Sequence, residues 1–208
     1  TIRYLDEAGI AHVGAGANLD QARRPVIRKV RSLLVGFLGY YGLRPHSDCH
    51  PATADSAGTV MRILSYIRKD VHLLRPKVDF VVVNFHWGYE KENYPREDQI
   101  FVAHKTIDYG ADLVVGHHPH VWQGIERYKG GIIAYSLGNF IFGGNSRTYE
   151  QSALLKVRFA KGKNKKMDAR IVPIEIDHWQ PRLLTGADSV NMINQIKKYS
   201  EIFKQSIF

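Results

Sequence analysis

Cysteine is almost absent from this chain: Cys49 stands alone. An intrachain disulfide is therefore excluded, and so is a structural zinc site built on a cysteine cluster. Long apolar runs are missing too. No stretch approaches the roughly 20 consecutive apolar residues of a membrane-spanning helix, and nothing at Thr1 reads as a signal peptide. Acidic residues are the minority charge, with 20 Asp and Glu against 29 Lys and Arg and a formal net charge of +9. That excess favours acidic partners such as polyanions, phosphates or anionic head groups, without choosing among them. Nucleic acid ranks low, because the basic residues are dispersed and no recognition motif accompanies them. Internal repeats, low-complexity tracts and linkers are lacking. With 24% charged and 44% hydrophobic residues the composition is that of a folded chain, and a single domain over residues 1–208 is expected.

What is present centres on Leu113-Val114-Val115-Gly116-His117-His118-Pro119-His120. The apolar run reads as a buried strand, and three imidazoles follow its glycine. Ligands of open α/β sheets bind outside the carboxyl ends of such strands. Neutral imidazole is the commonest metal-ligating side chain and suits borderline divalent ions, so His117, His118 and His120 are candidate ligands. The plainer alternative is a polar loop capping a strand end. Pro119 is expected to hold His118 extended. A second buried strand over residues 78–85 ends in His86-Trp87-Gly88, and a helix over residues 96–109 supplies a crossover between the two. Histidine thus recurs at the end of two strands. His104, inside that helix, reads as structural.

The rest of the chain is placed by ordinary signals. A helix over residues 1–8 stops at Gly9, residues 10–13 form a short strand, and Asp20 caps a helical turn over residues 21–24. Residues 25–29 and 33–40 form a hairpin around Arg31-Ser32. Helical periodicity covers residues 55–74. Residues 121–128 and 132–136 form a hairpin around Lys129-Gly130-Gly131, and residues 152–159 and 169–176 form another around a basic tip at residues 161–166. Asp188 caps a final helix over residues 188–203, with Val190, Ile193, Ile196 and Tyr199 on one face.

Several of these stretches together resemble a known family. Phe85-His86-Trp87-Gly88-Tyr89-Glu90, the run from Gly110-Ala111-Asp112 to Val121, and Tyr135-Ser136-Leu137-Gly138-Asn139-Phe140 occur in order and at suitable spacing. With Gly14-Ala15-Gly16 and Arg24-Pro25-Val26-Ile27 they resemble the CapA family of capsule and poly-γ-glutamate synthesis proteins, over residues 1–176. The resemblance implies an α/β fold: the calcineurin-like metallophosphoesterase α/β/β/α sandwich. It also implies a divalent metal (Mn, Zn or Fe) on His86, His118 and His120, with His117 as an extra imidazole beside the spaced pair. Glu90 would orient a ligand or act as acid/base, and Asn139 would contact substrate; the alternative for both is support of loop geometry.

The family's aspartate-bearing first strand, its N-x-E segment and its N-N-H segment have no counterpart here. The chain accordingly reads as the C-terminal portion of a CapA-like protein, lacking N-terminal strands and helices, with self-association and weak or no activity on its own expected. The implied function is a metal-dependent hydrolase of phosphoester or related bonds in capsule or poly-γ-glutamate biosynthesis. Its substrate would be an acidic polymer or phosphate-bearing molecule, its partners the membrane proteins of capsule synthesis, and its place the cell surface or membrane. The alternative is a non-catalytic component that binds the polyanion during synthesis and export.

Overall fold

Residues 1–46, 49–142, 150–162 and 166–208 are described by the computed structural model, in two compact units. The first comprises Thr1–Trp87 and Phe101–Val114, the second Gly88–Ile100 and Val115–Phe208. Of the expected basic tip, residues 163–165 lie outside the described residues.

In the first unit, α1 (Ile2–Glu7) is ended by Gly9 at φ 67°, where a side chain would be strained. The strand expected over residues 10–13 does not form. Ile10 is exposed, and Val13 docks by its side chain against Gly39, where a Cβ would come within 3.0 Å of Val13 Cγ2. Backbone pairing begins only at β1 (Ala15–Gly16). The next helix, α2 (Leu19–Ala22), starts earlier than expected. Its cap is Asn18, whose Oδ1 accepts from Gln21 N at 2.9 Å, and Asp20 lies within the first turn. β2 (Val26–Val30) and β3 (Leu33–Tyr41) form the antiparallel hairpin, turned at Arg31 with φ 56°.

Helical periodicity overran at residues 55–74. β4 (Gly58–Thr59) pairs with β1, and α3 is confined to Leu64–Leu74. Val60 is fully buried, but on extended backbone: its N–H donates to Gly14 O at 2.9 Å and its carbonyl accepts from Tyr41 N at 2.7 Å. Those bonds cannot be kept in a helix. β5 (Phe80–His86) lies parallel to β3, with Tyr41 in register with His86, so one antiparallel and one parallel neighbour make the sheet mixed. Its Phe80, Val81, Val82, Val83 and Phe85 are buried, as are Ile67, Val71 and Leu74 of α3. After α4 (Glu97–Asp108), the Asp112 carboxylate accepts from Arg75 and, at 2.7 Å, from Val81 N. This sets the level at which β6 (Leu113–His117) begins beside β5.

In the second unit, β6 ends at His117, and β7 (Ile125–Tyr128) and β8 (Gly131–Ala134) form the expected hairpin, β8 lying next to β6. A separate antiparallel sheet holds β9 (Glu150–Ala160), β10 (Lys166–Asp177) and β11 (Gln180–Leu183) in the order β11-β10-β9. β11 was not expected; its turn uses His178 and Trp179 at φ 48° and 61°, non-glycine residues that carry no turn signature. The last helix, α5 (Gly186–Ser200), has Thr185 at its N-cap position, and Asp188 falls in its first turn, where it suits the helix dipole. Its buried stripe is Met192, Ile196 and Ser200, while Val190 is exposed. The architecture is mixed α/β, as the resemblance implied. Among the described residues no helix is long and apolar enough to cross a membrane.

Candidate metal centre

At the end of β6 the chain turns on residues that L-amino acids rarely place there. His118 has φ 102° and His120 φ 61°. The extended conformation expected for His118 before Pro119 is therefore not adopted. The Pro119 carbonyl accepts from Lys91 N at 2.8 Å, and Lys91 is itself at φ 62°. Tertiary pinning of the loop overrides the local preference. Each such residue costs on the order of 1–3 kcal/mol, and clusters of them are typical of functional sites.

The strained turn brings chemistry together. One ligand atom from each of Glu90, His118 and His120 lies within 4.8 Å of the others. Glu90 reaches this position from a loop that starts at Gly88 with φ 87°, packed against the Gln99 side chain. Gln99 donates to Gln123 Oε1 at 3.2 Å, and Gln123 donates to Glu92 O at 2.8 Å, which anchors the loop. Burial lowers the His118 pKa, opposed by the Glu90 carboxylate and reinforced by His120. Burial likewise lowers that of His117. Both imidazoles are thereby biased to the neutral form that ligates metals. One carboxylate oxygen and two imidazole nitrogens make a donor set that fits a borderline divalent ion.

Asn139 stands beside His120. Gly138, at φ 61°, turns the backbone close to Trp122, where a Cβ would lie 3.0 Å from Cδ1. The buried Asn139 side chain then meets His120 Nδ1 through Oδ1 at 2.8 Å and donates from Nδ2 to Glu150 Oε2 at 2.6 Å. Its carbonyl accepts from Ser152 Oγ at 2.6 Å. His120, Asn139 and Glu150 also line a cavity of about 370 Å³ with Lys91, Asn93, Trp122 and Tyr199.

Of the expected ligands, His118 and His120 come together with Glu90, which sequence reasoning had given an acid/base or orienting role. His117 is the half-buried last residue of β6. His86 belongs to the first unit, exposed, with its ring stacked on Tyr41 at 5.5 Å and 11°. Glu150 was missed. It opens β9 outside any motif, and nothing local distinguishes it from a surface glutamate.

The model of the family described as bacterial capsule synthesis protein PGA_cap matches residues 1–144. The chain belongs to this family. Curated relatives agree: the capsule biosynthesis protein CapA of Bacillus anthracis is 34% identical over 197 residues, covering 93% of this chain and 47% of that protein. The PGA biosynthesis protein CapA of Bacillus subtilis (strain 168) is 32% identical over 170 residues, covering 81% and 44%. This PGA_cap-family chain thus spans about half the length of those relatives. Among solved structures, one described as a 5′-nucleotidase from Staphylococcus aureus superposes with a TM-score of 0.50 at 13% identity, covering 91% of this chain and 36% of that one. At that identity the likeness is one of fold.

Proposed function

We propose that this PGA_cap-family chain carries a metal-dependent hydrolytic centre for phosphoester or related bonds that serves capsule or poly-γ-glutamate synthesis. The observation that carries the proposal is the convergence of Glu90, His118 and His120 on a turn that two non-glycine residues hold at positive φ. A divalent ion bound there would polarise a phosphoryl oxygen and lower the pKa of bound water toward about 7. The chain's own part is to hold that ion and shape the ground around it. Glu90 supplies negative charge; His118 and His120 supply neutral nitrogen; the cavity beside His120 and Asn139 admits part of an extended substrate. Sequence reasoning adds His86 and His117 to the ligand set, and single substitutions separate their contributions. The relatives' names support a role within a capsule-synthesis system, and the +9 charge suits an acidic polymer or phosphate-bearing substrate.

The test is metal content and turnover of a generic aryl phosphodiester with manganese or zinc. Wild type is compared with Glu90→Gln, His118→Ala, His120→Ala, His86→Ala and His117→Ala. Glu90, His118 and His120 substitutions are expected to lower metal content and turnover together. Equal metal content throughout would sink the assignment. Poly-γ-glutamate binding that weakens with salt, without turnover in any variant, would favour the non-catalytic alternative.

A further inference from the structure

We propose that Glu150 is a positioning residue that selects, through Asn139, the imidazole tautomer His120 needs as a metal ligand; the metal part of this rests on the function proposed above. A carboxylate can only accept hydrogen bonds, so the group of Asn139 that faces Glu150 Oε2 at 2.6 Å must be its NH₂. That leaves the amide oxygen facing His120 Nδ1 at 2.8 Å, where it can only accept. The proton of the neutral ring is therefore held on Nδ1, and Nε2 keeps its lone pair for a ligand. Without an acceptor at position 150, the Asn139 amide is free to flip. Its NH₂ would then face Nδ1, the ring proton would move to Nε2, and the ligating lone pair would be lost.

The rest of Asn139 is fixed independently. Ser152 Oγ donates to its backbone carbonyl at 2.6 Å, and Trp122 Nε1 donates to Ser152 Oγ at 3.3 Å. These bonds hold the backbone and leave the amide orientation to Glu150. Partners that orient a ligating histidine in this way typically contribute about 10–100-fold to metal affinity.

The experiment compares wild type, Glu150→Gln and Glu150→Met. Both variants remove the charge, but only methionine removes the acceptor. The His120 tautomer is read in metal-free protein by long-range ¹H–¹⁵N correlation, its signals identified by their loss in His120→Gln. Affinity for Mn²⁺ and Zn²⁺ is read by titration calorimetry. Wild type is expected to show the Nδ1–H form. Glu150→Met should show a substantial Nε2–H population and about 10–100-fold weaker metal binding. Glu150→Gln, whose amide can accept from Asn139 through its oxygen or turn to donate through its NH₂, should fall between the two.

An Nε2–H tautomer in wild type, or an unchanged tautomer in Glu150→Met, would overturn the proposal. Because the tautomer is read without metal, wild type that binds no metal would count against the hydrolytic centre alone. The tautomer comparison would still decide the role of Glu150.

Discussion

At the scale of the residue, the telling feature is backbone conformation. His118 at φ 102° carries a Cβ where only glycine is comfortable, so the metal-free protein stores strain at a candidate ligand. In the presence of chelator, His118→Gly is expected to be more stable than His118→Ala by about 1 kcal/mol. Both should lose metal binding. Urea unfolding measures the difference; an alanine variant as stable as the glycine one would show that this turn is not strained. None of this was visible in the sequence. Gly-His-His-Pro-His announces imidazoles at a strand end, but neither the positive φ at position 118 nor the Lys91 N–H that meets the Pro119 carbonyl from another loop.

At the scale of the element, α3 is held by more than its apolar stripe. Asp70, buried on its inner face, accepts from Arg23 Nε at 3.0 Å and Nη2 at 2.7 Å and from the Tyr40 hydroxyl at 3.0 Å. The helix is thereby tied to β3 and to the segment after α2. The hydrogen bond to Asp70 raises the Arg23 pKa, and burial, followed by the Asp70 charge, pushes the Tyr40 phenol well above its ordinary range, so both remain donors. Asp70→Ala strands the Arg23 charge and should cost about 3 kcal/mol in equilibrium unfolding. Tyr40→Phe, which removes one bond and keeps the ring, should cost about 1 kcal/mol. An Asp70→Ala loss no larger than that of Tyr40→Phe would show the charge pair to be dispensable. Periodicity found the apolar stripe of α3, but not this anchor: position 70 is one more acidic residue in a helix until the hairpin returns Tyr40 beside it.

At the scale of the whole molecule, the candidate ligands Glu90, His118 and His120 all belong to the second unit. Saturating metal at about 100 times its Kd should stabilise that unit by about 2.7 kcal/mol, a rise in Tm of roughly 5–10 °C for a chain of this size. Chelator should reverse it. If the two units melt separately, only the transition of the second should move. The check is calorimetry with and without Zn²⁺ on wild type and on His118→Ala/His120→Ala; a shift retained in the double variant would place the ion elsewhere.

By itself the sequence determined the mixed α/β class, most of the strands, the family and the strand-end histidines, because these rest on local signals: apolar runs, glycine stops and motifs read within a few residues. Where two patterns overlap locally it misled, as when the apolar spacing after Val60 extended α3 over a segment whose hydrogen bonds go to Gly14 and Tyr41. Only the tertiary structure decided that Glu90 joins His118 and His120, that Asn139 stands beside His120, and that Glu150 completes the chain of hydrogen bonds. Those contacts join residues 11 to 30 positions apart across separate loops and strands. Their partners are chosen by packing and by the need to satisfy buried polar groups, which no local pattern encodes.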